Sequence, residues 1–161
     1  MKSYGSNIEE VKKVPGAVAD HARSALVVLL DNDYIALGET SSFILSNYHN
    51  LAYLIKKAIE KSVAFIDPDA GISVFRISEQ YDNKYAAIFG ISMYRYYSPN
   101  CESNRTYLRQ MLMELHRQIQ YQGLTRVIMP RVGQPCGIDW FKVVKPAIEE
   151  IFSDMHVTIV Y

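Results

Sequence analysis

The stretch "PRVGQPCGID", residues 130–139, sets two glycines, two prolines and a cysteine between a short apolar run at 124–129 and a segment at 140–152 with apolar residues at helical spacing. Glycine lets a backbone approach a ligand with no Cβ in the way, and successive N–H groups in such a loop can converge on a phosphate. Gly133, Gln134, Cys136 and Gly137 would each offer a donor, whereas Pro135 has none. A second polar, turn-prone loop, "DNDYIALGETSS" at 31–42, contributes Asn32 and Gly38. Its Glu39 would repel a diphosphate, and β-branched Thr40 resists positive φ.

Other reactive side chains are sparse. His21, His49, His116 and His156 are scattered, and no pair has metal-ligand or triad spacing. Cys101 and Cys136 make neither a disulfide framework nor a zinc pattern, so no metal is expected. Cys136, in a loop near a helix start, has two readings: a thiol of lowered pKa or simply a small loop residue. Asp139 stands where a helix N-cap belongs. Trp140 reads as an anchor that packs the last helix onto a sheet.

Those loops need elements to position them. Strands are expected at 8–14, ended by Pro15 and Gly16, and at 24–30, where "SALVVLL" is apolar throughout, as in a strand buried on both faces. A helix at 41–62 follows, with "NYHN" placed to split or kink it. After a turn at 67–71 come strands at 72–78 and 84–92, a helix at 102–121 capped by Ser98 or Asn100 and closed near Gly123, the strand at 124–129, a helix at 139–153 and a strand at 157–161. Lys145-Pro146 conflicts with that last helix unless it starts late or is kinked. The order predicts a single domain over 1–161. Its fold class is α/β, a three-layer α/β/α sandwich around a mixed sheet of about six strands. Ligands of such folds sit outside the carboxyl ends of the strands, where both loops fall.

The 161 residues carry 17 basic and 17 acidic side chains, which removes the general electrostatic case for nucleic-acid binding. No apolar run is long enough to span a bilayer, and a reducing, cytoplasmic setting is the simplest expectation. Twelve tyrosines, several in "MYRYYSPN", suit half-buried strand ends or a rim on which a base stacks.

The stretch "IMPRVGQPCGIDWFKVVKPAIEEIF", ending in "VTIVY", resembles the C-terminal part of macro domains, nearest to the short branch that removes ADP-ribose from acidic side chains. The passage "YRYYSPNCESNRTYLRQMLMELHRQIQYQGLTRV" is similar to the same group's strand-to-helix segment, and "SALVVLLDNDYIALGETSSFIL" to its second strand and first ligand loop. The resemblance implies a cleft for ADP-ribose or an ADP-ribosylated protein, with no resident cofactor and a monomeric chain. Asn32 falls at the asparagine that bonds the distal ribose, Gly38 at the first loop glycine, and Gly133, Gln134, Cys136, Gly137 and Ile138 at the loop that wraps the diphosphate. Asp139 aligns with either a catalytic aspartate or the helix N-cap.

Departures from the family pattern accompany the likeness. Ala17 stands where an aspartate reads the adenine amino group, with Asp20 the nearby substitute, and Ser92 and Met93 stand where a lysine serves chemistry. Three functions follow as expectations: a binding module for ADP-ribose or a related nucleotide diphosphate; a hydrolase of ADP-ribosyl esters or ADP-ribose 1″-phosphate; or a structural protein whose cleft is filled by Glu39, Tyr94 or Tyr97.

Overall fold

In "SALVVLL" every residue finds a core, because alternate side chains leave a strand on opposite faces. In the computed structural model, which describes residues 7–12, 21–47, 51–61, 63–65, 72–78 and 85–161, this run lies in β2 (His21–Asp31). Ala25, Val27 and Leu29 enter one apolar cluster, and Leu26, Val28 and Leu30 the other. β2 is therefore a central strand with a core on each side.

The remaining strands are β1 (Ile8–Val11), β3 (Val63–Phe65), β4 (Ser73–Ser78), β5 (Tyr85–Met93), β6 (Arg126–Pro130) and β7 (His156–Val160). They form one sheet in the order β1-β7-β6-β2-β5-β4-β3. The first five run parallel, and β4 and β3 continue the sheet antiparallel. The α/β/α sandwich with a mixed sheet is as expected from the sequence. The seventh strand is β3, an edge of three residues, too short to show a period.

Two layers of helices cover the sheet. α1 (Glu39–Asn47) and α2 (Leu51–Lys61) supply Ile44, Ile55 and Ala58 to one face. They fall in the span of the helix expected at 41–62; residues 48–50 of "NYHN", and with them the expected split or kink, lie outside the described residues. α3 (Glu102–Thr106), α4 (Leu108–Tyr121) and α5 (Lys145–Ile151) lie on the other side, where Leu108, Met111, Leu112, Leu115 and Ile119 form a buried stripe. The helix expected at 102–121 breaks at Tyr107. Its N-cap is Cys101, with no side-chain bond, in place of Ser98 or Asn100. Gly123, at φ +73°, ends α4: its N–H donates to Gln120 O at 2.8 Å and Leu124 N–H to Ile119 O at 3.3 Å.

Pro146 resolves its conflict locally. Residues Trp140–Val144 make one π-helical turn and α5 begins at Lys145, so Pro146 falls in a first turn where a missing N–H costs little. Strand residues expected at 13 and 14, Pro15, Gly16, Ala17, Asp20, His49 and the turn at 67–71 lie outside the described residues. Among the described residues, no helix is long and apolar enough to cross a membrane.

Gly90 of β5 pairs across the sheet with Phe75 of β4, and a Cβ there would lie 2.5 Å from the Phe75 ring. Gly90→Val should destabilise the fold by about 2 kcal/mol through overpacking. Urea denaturation of the single variants and of Gly90→Val/Phe75→Ala checks this, the double variant losing less than the sum.

Candidate functional site

The ladder between β2 and β6 stops early, with the pairs Ala25–Val127 and Leu26–Ile128, although both strands run on. Leu29, further along β2, satisfies its backbone elsewhere: its N–H donates to Ser41 Oγ at 2.8 Å and its carbonyl accepts Leu37 N–H at 2.9 Å. The first loop thus folds back into the gap at the carboxyl end of the sheet. Gly38, at φ +89°, reverses the chain there, and its carbonyl accepts Ser42 N–H as α1 starts.

Asp31 locks the start of this loop. Its Oδ1 accepts the N–H groups of Asp33 (2.8 Å) and Ile35 (3.0 Å), and its Oδ2 accepts Arg95 Nε at 2.8 Å. The carboxylate is buried, and the hydrogen bond to it raises the Arg95 pKa above its ordinary value. Asn32, next in the chain, is exposed on top of this knot.

The second loop is tied to itself. Residues Gln134–Cys136 form a 3₁₀ turn between Gly133 and Gly137, both at φ +83°. Gln134 N–H donates to Arg131 O, Cys136 N–H and Ile138 N–H to Gly133 O, and Gly137 N–H to Gln134 O, all at 2.9–3.2 Å. Three of the four amides expected to cradle a phosphate, those of Gln134, Cys136 and Gly137, are therefore spent inside the turn, because left-handed glycines at both ends close it on its own carbonyls.

Cys136 and Ile138 turn their side chains into the core. Burial, with Cys101 nearby, pushes the Cys136 thiol up to about 12, which corrects the lowered-pKa reading and leaves the small-loop-residue one.

Where the loops meet, Pro135 rests against Gly38; a Cβ on Gly38 would lie 2.7 Å from Pro135 Cγ. Beside this contact opens a cavity of about 350 Å³ lined by Leu37, Gly38, Glu39, Thr40, Pro130, Arg131, Gln134, Pro135, Val160 and Tyr161. Its place, beyond the carboxyl ends of β6 and β7 and at the start of α1, is where an α/β sheet accepts ligands. The N-terminal end of α1 lies at this cavity, and the helix dipole favours an anion there.

Arg131 is the cation of this wall. Its guanidinium carbon lies 4.3 Å from the Tyr161 ring centre, 5.3 Å from Phe141 and 5.6 Å from Trp140. Glu10 of β1 holds the group in place: Oε1 accepts Arg131 Nη2 at 3.0 Å and Trp140 Nε1 at 3.2 Å, while Oε2 accepts Lys145 Nζ at 3.0 Å. Trp140, buried, is thus the anchor expected of it.

Of the residues singled out in the sequence, Gly38 and Gln134 line the cavity. Gly137, Ile138 and Asp139 line a shallower depression that shares Gln134 with it. Tyr96 covers Gly137. Asp139 caps the final helix, its Oδ1 accepting Lys142 N–H at 2.8 Å. Asn32 borders neither hollow. Glu39 does stand on the cavity wall, but Tyr94 is buried in the core and Tyr97 is 80% exposed, and neither lines the cavity. Glu10, Arg131 and Tyr161 were missed, and Thr40 was read only as a loop residue that resists positive φ; Arg131, a charged residue just after an apolar strand and just before a glycine turn, carried the one sequence signal available.

No family model matches the sequence, and no curated protein matches it. Solved structures do. The macrodomain of Thermus aquaticus DarG is 18% identical with a TM-score of 0.63, covering 96% of this chain and 98% of that one. The macrodomain of Mycobacterium tuberculosis DarG is 18% identical at 0.64, covering 94% and 97%. An Oceanobacillus iheyensis macrodomain with MES bound is 10% identical at 0.62, covering 99% and 86%.

Glu10 is pulled two ways: burial raises its pKa, and the hydrogen bonds and charges of Lys145 and Arg131 together lower it further, to a net value below the ordinary one. Its stability contribution is complete above the unfolded-state carboxylate pKa and is lost as pH falls through the lower folded-state value. Glu10→Gln should therefore cost about 2 kcal/mol at neutral pH and flatten the acid limb of stability against pH, read by urea denaturation at stepped pH. Asp139→Ala should cost about 1 kcal/mol through the lost cap, by the same measurement.

Proposed function

We propose that this chain, which has the macrodomain fold, is a binding module that takes ADP-ribose or a related nucleotide diphosphate in the cavity between its two rim loops. The observation that carries this reading is the cavity itself, preformed at the carboxyl edge between the loops and walled by the start of α1, Arg131 and Tyr161. Because the second loop spends the amides of Gln134, Cys136 and Gly137 internally, the anion's partner in this reading is the N-terminal end of α1. Tyr161, 41% exposed, offers a ring face for stacking. The ligand is free or carried on a modified protein, and one chain suffices to hold it.

Hydrolysis of ADP-ribosyl esters or of ADP-ribose 1″-phosphate is the weaker reading. Asp139 is engaged as a helix cap outside the cavity, and Ser92 and Met93, where the resemblance places a lysine, are fully buried.

Isothermal titration with ADP-ribose and a set of nucleoside diphosphates should give saturable heat for at least one of them. Thr40→Phe, which fills part of the cavity, should weaken that binding at least about tenfold, while Asp139→Ala leaves it unchanged. Silence from every ligand at millimolar concentration would remove the reading.

A further inference from the structure

Arg131 is unusual among cavity-wall residues in being fixed on three counts. Glu10 Oε1 accepts from its Nε (3.3 Å) and Nη2 (3.0 Å). Three aromatic rings lie around its guanidinium. The side chain is 17% exposed. Among the described residues Nη1 has no acceptor, so a rigid pair of N–H directions is left on the edge away from Glu10.

A guanidinium only donates. Held in one plane, it suits a partner with two acceptors on one edge. Leu37, Pro130, Pro135, Val160 and the ring of Tyr161 make one part of the wall apolar and flat, beside the polar Glu39, Thr40 and Gln134, and that part suits a planar heterocycle. Adenine sets its N7 acceptor beside an exocyclic amine, a donor that Arg131 would oppose. A 6-oxopurine sets O6 beside N7, two acceptors that an arginine fork matches in bidentate fashion.

We propose that the cavity selects a 6-oxopurine nucleotide, guanine- or hypoxanthine-bearing, over its adenine counterpart, with Arg131 as the reading residue. This rests on the reading of the cavity as a nucleotide pocket. Glu10 is then a positioning residue, which aims the fork without touching the base.

The test is calorimetric titration of the full chain with GDP, IDP and ADP at one salt concentration. GDP and IDP should bind at least about fivefold more tightly than ADP. Arg131→Lys keeps a charge beside Glu10 but loses the fork, and should bring the three affinities together mainly by weakening GDP and IDP. ADP binding as tightly as GDP overturns the base selection and leaves the nucleotide reading standing. Preference retained in Arg131→Lys overturns the role of Arg131. Absence of binding by all three diphosphates overturns the selection, and silence from ADP-ribose as well overturns the reading beneath it. Should Arg131→Lys fail to fold, Arg131→Gln, which also lacks the fork, takes its place with the same two outcomes.

Discussion

One buried peptide organises the rim. Once β2 and β6 cease to pair, the N–H and carbonyl of Leu29 are left inside the protein, and a buried backbone group without a partner costs as much as a lost hydrogen bond. Ser41 and Leu37 satisfy both groups. To reach them the chain after Asp31 must turn back sharply, and it does so through the left-handed Gly38. That reversal starts α1 at the rim, brings Gly38 against Pro135 and leaves the cavity beside them.

The opposite wall has a different cause. Glu10, Arg131 and Lys145 bring one negative and two positive charges into a half-buried cluster with Trp140. Removing such charges from water is expensive, so their mutual pairing mostly offsets that cost rather than adding stability. What the cluster supplies is position. It ties β1, the end of β6, the π-helical turn and the start of α5 into one wall. A guanidinium held this way loses little freedom when a ligand arrives, and preorganisation of that kind favours affinity.

The second loop shows how one composition serves two ends. Gly133 and Gly137 are the residues a phosphate cradle would use, and also those a self-closed turn needs at its left-handed positions. Residue type reports that a backbone must reach positive φ; it does not report where the neighbouring N–H groups point. Here they point inward, and the loop's contribution to the cavity comes from the Pro135 ring and the Gln134 side chain. The same limit applies to Asp139, whose two alignments differ by about one residue and whose carboxylate the geometry commits to Lys142 N–H.

Local pattern determined the layers of this protein. The two-sided apolarity of residues 24–30, the stripe from Leu108 to Ile119, Gly123 closing α4 and Asp139 opening the last helix were all legible, because each follows from periodicity or capping within a few residues. The edge strand β3 and the break at Tyr107 were not, being too short or too local to leave a period. The cavity was decided by tertiary structure alone. Glu10 and Arg131 are 121 residues apart in the chain, Thr40 and Val160 120, and nothing in a strand's own sequence says which distant side chain will stand beside its end. Those pairings come from the strand order, which places β1, β7 and β6 side by side and parts β6 from β2 at the rim.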